Sequence, residues 1–91
     1  VDKLIVIAEV LEPLIDARRR LVAARAAMNA AIPSMTATRA ERALYDERYR
    51  ADHLAERALW DCAINFASWA EANDIAATLR DRAQQKDVSN G

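Results

Sequence analysis

The chain reads as an all-α protein: a long antiparallel helical hairpin with a short C-terminal helix, assembled into a helical-bundle homodimer. Three observations predict this. Helix breakers are almost absent, since the prolines are Pro13 and Pro33 and the only glycine is Gly91; long helices with few turns follow. Alanine, the best helix former, supplies 21 of the 91 residues. Apolar residues then recur at three- and four-residue steps through most of the chain.

The first helix is expected over about residues 2–31. Leu4, Ile7, Leu11, Leu14, Leu21, Met28 and Ile32 mark its stripe, with Ile15 and Val22 beside them. Pro13 removes a backbone donor and disfavours helix at Glu12, so a kink or short break is expected near 12–13. Pro33 ends the helix. Thr38 and Glu41 match a capping box, opening a second helix over about 38–72. Asn73 is expected to adopt the left-handed conformation that ends it, and Asp74 to cap the third helix, about 75–86. Ile75, Leu79 and Ala83 share one face there. Residues 1–86 form a single helical domain, and 87–91 are expected to fray.

The second helix is apolar on two sides. Leu44, Ala51, Ala55, Ala58, Cys62, Phe66 and Trp69 form the face expected to meet the first helix. Tyr49, His53, Trp60, Ile64 and Ala67 form another, nearly opposite. A helix apolar on two sides is buried on two sides. Either the third helix folds back over Ile64 and Ala67 or a second copy covers them. The homodimer reading assigns Tyr49, His53, Trp60 and Ile64 to the dimer interface, since a C2 dimer is the commonest symmetric assembly.

Composition narrows the function. A net charge of −1 gives no field favouring nucleic acid or a membrane surface. Cys62 is the only cysteine, which excludes an intrachain disulfide and fits a reducing cytoplasm. The opening VDKLIVIAEVL is too short and too acidic for a membrane span or a signal peptide. Eleven arginines against two lysines, with so much alanine, suit a GC-rich bacterial or phage gene. Charge is polarised along the chain: net −3 over residues 1–16, +5 over 17–50 and −3 over 51–91. A hairpin gathers the positive segment toward its tip.

Arg18 and Arg25 fall within the first helix's apolar stripe, with Asn29 nearby; Glu47 and Asn65 stand at the edge of the second helix's inner face. With Ile32 level with Thr38, Arg25 pairs with Glu47, and Arg18 reaches Asp52 or the surface. The alternative is an anion pocket in the bundle, built from Arg18, Arg25 and Glu47. The segment LIDARRRLV, residues 14–22, is loosely similar to the first helix of the small dimeric helical chorismate mutases, whose sites are Arg- and Glu-lined bundle interiors. That resemblance would imply a mutase- or lyase-like enzyme. The lysine of such a site has no counterpart here, and the helix lengths differ.

No motif calls for a cofactor or a metal. Glu9 and Glu12, with Glu71 and Asp74, resemble paired magnesium ligands, but this register places Glu9 near Asp61, far from Glu71. His53 lacks a Glu-x-x-His context or a second histidine. Cys62 reads as a small core residue. Arg19, Arg20, Arg39 and Arg42 face outward and form the expected partner-binding set. Weak nucleic-acid binding through that basic tip is the remaining alternative. The leading expectation is a non-enzymatic, cytoplasmic protein–protein interaction module: a small regulator, adaptor or inhibitor, phage- or mobile-element-encoded, that binds itself and another protein.

Overall fold

The structure, a computed structural model, describes residues 2–90, with side chains through Gln85. Three helices follow in order: α1 (Lys3–Ala30), α2 (Arg39–Ala72) and α3 (Ile75–Asn90). Asp2 caps α1, its carboxylate accepting the Leu4 N–H at 2.9 Å. The helix runs through Pro13 without a break. At α2 the capping box closes both ways: the Glu41 N–H donates to the Thr38 hydroxyl at 3.2 Å, and the Thr38 N–H reaches the Glu41 carboxylate at 3.5 Å.

α1 and α2 pair antiparallel, and both seams have heptad spacing. On α1 the inward residues are Ile7, Val10, Leu14, Ala17, Leu21, Ala24, Met28 and Ala31, all buried or half-buried. On α2 they are Tyr45, Arg48, Asp52, Ala55, Leu59, Cys62, Phe66 and Trp69. Two cross-helix bonds set the level. Arg25 donates to Asp52 at 3.1 Å, and Arg48 donates to the Ala27 carbonyl at 3.0 Å. Between these bonds, Ala24 is level with Asp52, Ala17 with Leu59, and Ala31 with Tyr45. Larger residues on α2 thus meet alanines on α1, which lets the seam close.

This register corrects the expected one. Residues 31–38 form a real loop, so α2 is displaced by some six residues, or ~9 Å, from the alignment that made Ile32 level with Thr38. The α2 face is corrected too: Leu44, Ala51 and Ala58 are exposed, and Asp52, Leu59 and Tyr45 turn inward instead.

The α2–α3 turn differs in detail. Asp74, not Asn73, takes the positive φ, 48°. Asn73 stays at negative φ and its side-chain amide donates to the Trp69 carbonyl at 2.8 Å, closing the end of α2. α3 then continues helically to Asn90, past the expected frayed tail at 87. α3 itself contains neither proline nor glycine. Ile75 is buried at the head of α3, but Leu79 and Ala83 are exposed. α3 packs on α2 and shares a cleft with the N-terminus of α1, lined by Leu4, Thr78 and Arg82. It does not cover Ile64 or Ala67, which stay exposed.

The result is a rod, 65 × 28 × 18 Å, with a radius of gyration of 20.0 Å. A compact chain of this length has a radius near 12 Å. Among the described residues the buried apolar set is Ile7, Ala17 and Ile75.

Candidate interaction surface

The polar centre of the hairpin is Asp52, 2% exposed in the α1–α2 seam. Arg25 reaches it from α1 and also approaches Glu56 at 3.8 Å. The His53 Nδ1 lies 3.7 Å from the other Asp52 oxygen. A carboxylate this buried requires a charged partner to balance desolvation, and Arg25 supplies it while keeping half of its own side chain in solvent. Arg48, also in the seam, satisfies a carbonyl in the last turn of α1. That turn has no basic residue of its own, so α2 provides the cation that a helix C-terminus favours.

Of the residues expected to line an anion pocket, Arg25 faces acids on α2, Asp52 and Glu56, while Glu47 is exposed and Arg18 is exposed rather than drawn to Asp52. The expected Arg25–Glu47 pair is replaced by Arg25–Asp52, because the loop shifts α2 along α1. The same shift brings Glu9 level with Ala67, nearer to Glu71 than expected. Even so, all four of those acids are exposed, and no group of three metal-binding side chains forms among the described residues. Cys62 is half-buried in the seam beside Leu14 and Phe66.

Outside the seam, the hairpin presents one broad apolar face. On α1 it follows Ala8, Leu11, Ile15, Arg18, Val22, Arg25, Asn29 and Ile32; on α2 it follows Tyr49, His53, Glu56, Trp60, Ala63 and Ala67, with Ile64 beside them. Both sets have a second heptad spacing, and the Arg25–Glu56 approach shows that they lie on the same side of the hairpin. The expected stripe of α1 divides between the two: Ile7, Leu14, Leu21 and Met28 turn inward, whereas Arg18 and Arg25, expected within it, lie on the outer face. Val22 is 54% exposed, Trp60 61% and Ile64 60%. Tyr49 and His53 stack at 4.2 Å between ring centroids, extending the face toward the loop. The chain exposes 7277 Å² in all, whereas a folded monomer of its mass exposes about 5,300 Å².

The four outward arginines do not form one patch. Arg39 and Arg42 stand in the first turn of α2 at the tip. Arg19 and Arg20 lie more than ~20 Å down the rod by helix rise. Arg19 makes an exposed pair with Asp16 at 3.6 Å, and Arg20 borders a cleft with Pro13, Leu54 and Ala58. No helix among the described residues is long and apolar enough to cross a membrane. Comparison with known proteins returns no matching family model, no matching curated protein and no matching solved structure. The functional reading therefore rests on the residues themselves.

Proposed function

We propose that the chain is a non-enzymatic protein–protein interaction module that works as a cytoplasmic homodimer, a small regulator, adaptor or inhibitor of another protein. One observation carries the reading: an outer face of two helices that exposes Ile15, Val22, Trp60 and Ile64, with none of the described residues covering it. Monomeric proteins rarely leave such a face to water. The ~2,000 Å² by which the chain exceeds a compact monomer is more than the ~800 Å² per partner of a standard interface. A second copy covers this face, and Tyr49 and His53 sit at its edge.

The partner surface is the basic tip. Arg39 and Arg42 are exposed in the first turn of α2, at the end of the rod, where guanidinium groups suit acidic side chains. Arg19 and Arg20 form a second, separate contact along its flank. The test is affinity capture from the native cell with wild-type bait and with bait carrying Arg39→Glu and Arg42→Glu. The expected result is a partner retained by the wild type and lost from the variant, whose dimer mass is unchanged. Equal capture by both would remove the tip from the partner surface.

A further inference from the structure

We infer that the second copy lies antiparallel to the first, face to face, so that two hairpins form a four-helix rod with the arginine tips at opposite ends. The inference rests on the dimeric reading and adds its orientation. Two features of the face lead to it.

The first is charge. The level of Ile15 and Trp60 divides the rod at the middle of its apolar face. The loop half, residues 17–59, carries nine bases and five acids, net +4; the open half carries the rest of the chain, net −5. Side-by-side parallel hairpins would place +4 on +4 and −5 on −5. The antiparallel arrangement sets each basic half on an acidic one, which steers encounter and selects orientation.

The second is spacing. Both helices carry the second heptad seam on the same side of the hairpin, the pattern of helices that each touch two neighbours in a four-helix bundle. Arg18, exposed and central among Ile15, Val22 and Trp60, has no ion pair among the described residues. A two-fold axis at the level of Ala17 sets Arg18 against the partner's Trp60, where a guanidinium stacks on an indole face. The arrangement makes the dimer a bivalent bridge, its two tips roughly 50 Å apart by helix rise.

Pulsed electron paramagnetic resonance tests the orientation. Ala43, exposed on α2 near the tip, takes a nitroxide as Ala43→Cys in a Cys62→Ala chain, and light scattering on the same sample gives the mass. An antiparallel dimer gives a label-to-label distance of about 50 Å from the helix rise. A dimer with labels closer than ~30 Å overturns the orientation while leaving the dimer standing. A monomer mass removes both. Should the labelled chain lose helicity by circular dichroism, the same label at Ala40→Cys repeats the measurement with the same expected long distance.

Discussion

Asp52 determines how α1 and α2 align. It is the one charged residue buried among the described residues, and a single guanidinium from α1 meets it. A lone polar group in a heptad seam restricts the register the two helices can adopt, at a cost in stability. Arg25→Ala leaves that carboxylate buried without its guanidinium and is expected to destabilise the chain by about 2 kcal/mol or more. Asp52→Leu removes the buried charge and fills the seam opposite Ala24; it is expected to be neutral or stabilising. Urea unfolding of the two variants checks the ordering, and an Arg25→Ala loss no larger than that of Asp52→Leu would contradict it. Both partners are plain in the sequence, but their pairing is not. Arg25 has acids at 46, 47, 52 and 56 to choose from, and only the length of the loop decides among them.

At the scale of elements, local signals are read most directly. The capping box at Thr38 and Glu41, which starts α2, depends on a few adjacent residues and appears where local chemistry puts it. Pro13 is different: it disfavours helix at Glu12, yet α1 packs along α2 on both sides of it and the helix continues. The phase of the helices is a tertiary property. Two heptad stripes run side by side on α1; the one that turns inward places Ala31 and Ala17 level with Tyr45 and Leu59 of α2, and the one that carries Arg18, Arg25 and Asn29 faces out. The turn before α3 stores a testable strain. Asp74 holds φ at 48°, a conformation that glycine adopts without steric cost and that Asp tolerates at some cost. Asp74→Gly removes a left-handed penalty of about 1–2 kcal/mol against an entropic cost of about 0.5–1 kcal/mol for glycine, so a modest rise in the thermal unfolding midpoint is expected; an unchanged or lower midpoint would contradict the strain.

At the scale of the whole molecule, the rod is under-buried for its mass. Its seam joins small residues to large ones, but its broad face carries Ile15, Val22, Trp60 and Ile64 into solvent. The same side chains that would stabilise a bundle of four helices leave a single hairpin thin. The two-sided character of α2 is legible in the sequence as an apolar pattern on opposite faces. The contribution of α1 to the outer face is not, because it depends on which of two adjacent stripes turns inward. The central claim is that a second copy covers this face. Sedimentation equilibrium at micromolar concentration tests it most directly, with the Trp60→Glu, Ile64→Glu double variant run beside the wild type. The account predicts about twice the 10.1 kDa chain mass for the wild type and the single-chain mass for the variant, with helicity retained in both. A wild type that sediments at the single-chain mass would contradict it.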